Sequence, residues 1–224
     1  MASPQSKAFP KGFTWGTATA AHQVEGNNWN NDWWDWEHTP GSPCVEPSGD
    51  TCDHFNRYPQ DIAMLKSWGF DTYRFSVEWS RIEPEDGEFS QAAIDHYRKV
   101  VSCCRDNGIT PVVTLPPFTT PRWVAALGGW GNDATADLFA RFSDKVARGL
   151  GDEVGMWCTI NEPNMVSTIG YLLGEFPPGK KDRALRLKAN EVFCAAHRKA
   201  RDAVKSVSKA PLGITLAMQE YTII

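Results

Sequence analysis

A chain of 224 residues, 42% hydrophobic and 22% charged, is long enough to bury the core of one large domain, and this composition excludes a disordered polymer. The net charge of -4, with lysines and arginines scattered rather than blocked, excludes the basic footprint of a nucleic-acid binder and a polybasic membrane patch; a neutral or polar small ligand fits better. Met1 to Lys7 lack the apolar core of a signal peptide, and no apolar run approaches the length that crosses a bilayer, so the expected compartment is the cytoplasm.

The first predicted strand is Gly12 to Ala18, a buried one, where small and aromatic residues alternate over a short span bounded by glycine. Gln23, Glu25 and Gly26 lead away from it. The polar stretch from Asn27 to Asp53 concentrates Trp29, Trp33, Trp34 and Trp36, and a loop of that length commonly serves function. Indole faces stack on the C–H faces of sugar rings, and they serve equally well as the small core of a lid. From Asp53, Phe55, Tyr58, Ile62, Leu65 and Trp68 recur at helical spacing, and Gly69 closes this first crossover helix. The second strand, Thr72 to Val77, carries Arg74 inside an apolar run. A guanidinium there needs an acceptor, and a carboxylate is expected, as a structural ion pair or as part of a site. Trp79 and Arg81 follow in a predicted loop.

Ser90 caps the next helix, whose stripe of Ile94, Tyr97, Val101 and Cys104 ends at Asn107-Gly108. Strand three spans Thr110 to Leu115, and prolines keep the continuation Pro116-Pro117-Phe118-Thr119-Thr120-Pro121-Arg122-Trp123 out of the ladder. Asn132 caps a helix carrying Leu138, Phe142, Val146 and Leu150. The apolar run Val154 to Ile160 is strand four, and it delivers Asn161, Glu162 and Pro163. An amide and a carboxyl side by side at a strand's C-terminal end occupy the position where barrel enzymes keep their chemistry, although a tripeptide alone reads equally well as a turn. A long loop containing Phe176-Pro177-Pro178-Gly179, a helix from Asp182 to Ser206 and a fifth strand from Leu212 to Met218 complete the chain. Among six cysteines, Cys103, Cys104, Cys158 and Cys194 fall inside these elements and read as reduced core thiols, while Cys44 and Cys52 share a loop. The five histidines are dispersed and no Cys or His spacing matches a zinc site, so no metal or cofactor is expected.

Strand and helix alternating with right-handed crossovers specify a parallel sheet covered by helices. Gly12 through Gly26 contains no G-x-G-x-x-G opening a helix, which favours a barrel over a doubly wound nucleotide-binding sheet. Five strands cannot close a (β/α)8 TIM barrel. The chain therefore reads as a single domain over residues 1–224 that supplies roughly the first five β/α units of an incomplete barrel.

Phe9-Pro10-Lys11-Gly12-Phe13-Thr14-Trp15-Gly16-Thr17-Ala18 with Gln23-Val24-Glu25-Gly26, then Tyr73-Arg74-Phe75-Ser76 with Trp79-Ser80-Arg81-Ile82, then Thr159-Ile160-Asn161-Glu162-Pro163, together resemble family 1 glycoside hydrolases, the β-glucosidases and their relatives. The resemblance extends from Phe9 essentially to the last strand. It implies a retaining β-glycosidase acting on a β-glucoside or small oligosaccharide, with Glu162 as general acid and base and Asn161 as the contact to the sugar 2-hydroxyl. It further implies that Gln23 contacts hydroxyls farther round the ring, that Arg74 orients the nucleophile, and that Trp123 lines the site entrance. The chemistry agrees, since a retaining glycosidase needs two carboxyls flanking the bond, one of them protonated near neutrality. Two departures stand out. Pro116-Pro117 occupies positions where the family ends its third strand in a pair whose second member is a glycone-binding histidine, and the family's nucleophilic glutamate belongs to strand seven, beyond Ile224. A C-terminal half of the barrel, on the same precursor or on another chain, is the implied partner. The alternative is a non-catalytic half-barrel that binds sugar or pairs with a partner.

Overall fold

The computed structural model describes residues 8–116 and 118–218. In chain order the strands are β1 (Gly16–Ala18), β2 (Thr72–Ser76), β3 (Thr110–Thr114), β4 (Met156–Asn161) and β5 (Leu212–Thr215). They pair in the order β1-β2-β3-β4-β5, every pair parallel. Spatial order that follows sequence order has no point of reversal, which is what a doubly wound sheet would show. The sheet is thus the first five strands of a (β/α)8 barrel, wound in one direction.

The helices are α1 (Ala21–Val24), α2 (Asp32–Glu37), α3 (His54–Ser67), α4 (Trp79–Ile82), α5 (Gln91–Asp106), α6 (Arg122–Ala126), α7 (Thr135–Leu150), α8 (Pro163–Met165) and α9 (Arg183–Lys205). The long ones, α3, α5, α7 and α9, pack each on the next and form the outer layer. Their ends follow local chemistry. Ser90 Oγ accepts from the Ala93 amide at 3.2 Å, and Asp182 Oδ1 accepts from Ala184 and Leu185 at 2.8 and 3.0 Å, as N-caps do. The short helices α1, α4, α6 and α8 lie between strand ends and the outer layer. Tyr73 and Phe75 of β2 are buried and face outward, the Tyr73 hydroxyl lying 3.1 Å from His54 Nε2 on α3. By the two-residue period of a strand, Arg74 and Ser76 face the barrel axis.

Several expectations change. Only Gly16–Ala18 forms β1, and it is largely exposed, because among the described residues it pairs on one side only; Phe13 and Trp15 instead cluster with Phe9, ring centroids 4.5–4.9 Å apart. Trp68 leaves the apolar stripe of α3, since the helix stops at Ser67, and it is exposed. The Asn27–Asp53 loop contains α2, capped by Asn31, whose side chain accepts from the Trp34 amide at 2.9 Å. Trp79 and Arg81 lie on α4 rather than in a loop, and Asn132 caps the turn before α7 through the Ala134 amide. The segment after Glu162 is helical, α8 running into a π-helix at Val166–Leu173. β5 stops at Thr215. All six cysteines are unpaired thiols, and Cys194 is exposed because it sits about 100° round α9 from the buried Phe193.

Candidate active site

At the C-terminal ends of the strands, Ala18, Thr19, Ala20, Gln23, Arg74, Thr114, Phe118, Asn161 and Glu162 line a cleft of about 140 Å³. It opens beside a cavity of about 470 Å³ that shares Ala20, Gln23 and Phe118 with it. Four residues singled out in the sequence, Gln23, Arg74, Asn161 and Glu162, therefore converge although they come from three different strand ends.

The way Asn161 reaches the cleft depends on a break in register. Along β4, Trp157 and Thr159 face outward: the Trp157 indole donates to Ser208 Oγ at 3.1 Å, and Thr159 Oγ1 lies 2.7 Å from His197 Nδ1 on α9. Strict alternation would point Asn161 outward too. Between Cys158 and Asn161, however, the β4–β5 register shifts, so three steps along β4 match two along β5, from Gly213 to Thr215. The extra residue turns Asn161 to the axis, as β-bulges beside active sites do. There its Oδ1 accepts from Arg74 Nη1 at 2.7 Å and from Thr215 Oγ1 at 2.9 Å. With Oδ1 fully used, Nδ2 is the group left to donate to a ligand.

Arg74 has an amide and a hydroxyl as its hydrogen-bond partners, the latter Thr215 Oγ1 at 3.3 Å, where a carboxylate was expected. The reason is positional. Among the described residues lining the cleft, Glu162 is the only carboxylate, and it forms no hydrogen bond or ion pair with Arg74, which bonds to Asn161 and Thr215 instead. Glu162 has φ 48° and ψ 52°, the left-handed region. A non-glycine residue held there costs about 1 kcal/mol and persists where surrounding bonds overdetermine it. Those bonds are present: the Glu162 amide donates to Thr215 O at 2.9 Å, and its carbonyl accepts from Met165 and Val166. Pro163 then starts α8, the first-turn position that proline tolerates. The half-buried Glu162 carboxylate makes no hydrogen bond to the described residues, and neither does the exposed Gln23 amide.

Behind the cleft wall lies a buried polar network. Glu78 is fully buried and accepts from Asn28 Nδ2 at 2.7 Å, Ser80 Oγ at 3.0 Å and Thr119 Oγ1 at 2.9 Å, which ties the exit of β2 to the residue following Phe118. Glu25 accepts from Arg81 Nε at 2.9 Å and from the Tyr97 hydroxyl at 2.9 Å. Burial pushes the Glu25 carboxyl up to about 7, against the lowering pull of the Arg81 charge. Neither Glu25 nor Glu78 lines the cleft.

Trp123 does not line it either. Its indole donates to the Glu83 carbonyl at 3.0 Å and packs edge-on against Trp79 at 6.1 Å, because α6 turns that face onto the helical layer. Pro117, the position of the departure from the family's histidine, lies outside the described residues. Two cleft residues escaped the sequence reading. Phe118 forms an aromatic wall, and the alternation signal that finds core aromatics does not reach into a proline-broken segment. Thr114 lines the cleft with a buried Oγ1 that has no partner among the described residues, a hydroxyl available to a ligand. Among the described residues no cluster of His, Cys, Asp and Glu is arranged to hold a metal ion, and no helix is long and apolar enough to cross a membrane.

Residues 5–222 match the sequence profile of Glycosyl hydrolase family 1. The chain belongs to glycosyl hydrolase family 1. Among the family 1 relatives, Beta-glucosidase A of Acetivibrio thermocellus is 39% identical over 222 residues, covering 95% of this chain and 49% of that protein. Beta-glucosidase A of Thermotoga maritima is 38% identical over 201 residues, covering 87% and 45%. The solved family 1 β-glucosidase from Thermotoga maritima superposes with a TM-score of 0.89 at 36% identity, over 93% of this chain and 48% of that one. The chain spans about half the length of the curated family 1 relatives it matches.

Proposed function

We propose that this chain is the N-terminal half, a single domain, of a retaining β-glycosidase of β-glucosidase type. Glu162 acts as general acid and base. The observation that carries this reading is the convergence of Glu162, Asn161 and Gln23 at the strand ends, with Arg74 holding the Asn161 amide in one orientation. In the first step Glu162 gives its proton to the glycosidic oxygen as a carboxylate from outside this chain attacks the anomeric carbon. In the second, Glu162 takes a proton from the water that releases the sugar. Asn161 Nδ2 donates to the 2-hydroxyl, a contact that strengthens in the oxocarbenium-like transition state, and Gln23 holds hydroxyls farther round the ring. Arg74, anchored on Asn161 and Thr215, orients the nucleophile on its arrival. The nucleophile's carboxyl must stand about 5 to 5.5 Å from that of Glu162, a place that no other carboxylate lining the cleft fills among the described residues.

That same single carboxylate favours the second reading, a non-catalytic half-barrel that binds sugar. Hydrolysis of an aryl β-glucoside, measured for the chain alone and with a separately expressed C-terminal half, separates the two. The first reading expects turnover only in the combined sample and its abolition by Glu162→Gln. Turnover by the chain alone, or an active assembly indifferent to Glu162→Gln, refutes it.

A further inference from the structure

A groove of about 460 Å³ lies between the loop 27–30, α4 and the start of α5, and none of its lining residues lines the cleft that holds Glu162. Its volume falls in the range of small-ligand sites, roughly 300 to 1,000 Å³. Every residue of its wall lies between Asn27 and His96, within the first two β/α units.

Three features define what it can take. Trp29 is 57% exposed, and the Arg122 guanidinium, itself paired with Asp35, sits 5.6 Å from the ring centroid and braces the indole. A braced, solvent-facing indole offers a flat apolar surface at little entropic cost. Next, Asn27 donates its Nδ2 to Asp50 at 2.7 Å and Asn30 donates its own to the Pro84 carbonyl at 2.9 Å. Their Oδ1 atoms have no donor among the described residues, so the wall carries acceptors suited to hydroxyl donors. Lastly, the groove is electrically quiet. Arg81 is committed to Glu25 and to the Gly26 carbonyl and lies 4.5 Å over Phe55, which stacks on His96 at 3.7 Å. Burial and the Arg81 charge push His96 down to about 4, so it is neutral near pH 7. With its one cation already paired, the wall has little to attract an anion.

We propose that this groove is a second carbohydrate site, in which one pyranose unit of a neutral oligosaccharide stacks on Trp29 while its hydroxyls donate to Asn27 and Asn30. The preference for a β-linked gluco-oligosaccharide rests on the proposed glycosidase reading; the stacking and acceptor chemistry does not. Cellotetraose titrated into the intact protein carrying Glu162→Gln, which prevents turnover, tests it through the indole N–H resonance of Trp29, assigned with Trp29→Phe. A saturable shift of that resonance is expected, and it should weaken at least tenfold in Ala92→Trp, which fills the groove from an exposed position. Calorimetry should lose one binding event in Trp29→Ala, with aryl β-glucoside hydrolysis by the active assembly unchanged. A Trp29 resonance that does not move, or a shift that Ala92→Trp leaves intact, overturns the proposal. Absent hydrolysis with an intact Trp29 shift would instead count against the catalytic reading alone.

Discussion

Replacing Glu25 by Gln should change how stability depends on pH. Glu25 is 4% exposed, and its carboxyl is raised from 4.5 to about 7, first by burial and further by the Glu78 charge, with Arg81 and Tyr97 pulling the other way. Between those values the folded protein keeps a proton that the unfolded chain has released, so stability falls as pH rises through this window and is level outside it. Each pH unit is worth about 1.4 kcal/mol, which makes the whole loss roughly 3 kcal/mol. His96 works in the opposite direction: lowered from 6.5 to about 4, it refuses a proton that the unfolded chain accepts, so its contribution grows with pH between those values and is lost as pH falls. These two slopes oppose each other, but burial also raises the Asp32 carboxyl from 3.8 to about 7, which adds a second fall of the Glu25 kind over the same window. Urea unfolding followed by circular dichroism from pH 4.5 to 8 should therefore show the native protein losing stability as pH rises, with His96 offsetting one of the two carboxyl falls below about pH 6.5. Glu25→Gln should flatten this fall, leaving Asp32 and His96 nearly balanced up to about pH 6.5, and His96→Phe should steepen it. Identical slopes in native and Glu25→Gln protein would refute the assignment of a proton to Glu25.

Arg74→Met removes the charged donor that holds the Asn161 carbonyl, a bond worth about 1.5 to 3 kcal/mol. In the active assembly kcat/KM for an aryl β-glucoside should fall about 10- to 100-fold, and an unchanged value would disconnect Arg74 from the site. Gly26→Ala places a Cβ 2.4 Å from the Asp50 carbonyl oxygen at a residue with φ +83°, so Tm should drop by several degrees; an equal Tm would show that the loop yields. Asp182→Ala strips two capped amides from the start of α9 and should cost about 1 kcal/mol in urea unfolding, a loss that Asp182→Asn should largely restore.

Much of the architecture follows from local chemistry that the sequence carries openly. Helical stripes, Ser90 as a cap, glycines at helix ends and apolar runs of strand length are nearest-neighbour effects, and they located five strands and the four long helices. The approximate address of Asn161 and Glu162, at the end of β4, was legible for the same reason. What the side chains do at that address was not. Asn161 faces the axis because β4 gains one residue against β5 between Cys158 and Asn161, a property of two strands some fifty residues apart in the chain. Arg74 takes an amide partner because that shift brings Oδ1 to it, whereas the identity of Arg74 alone suggested a carboxylate. The left-handed backbone of Glu162 is enforced by Thr215, from the next strand. Trp123 left the cleft because α6 turns it toward Glu83 and Trp79, while Phe118, in a segment with no period to read, became part of the wall. Period and composition record what each segment prefers by itself; orientation at the site is set by long-range pairing, whose geometry depends on both partners at once.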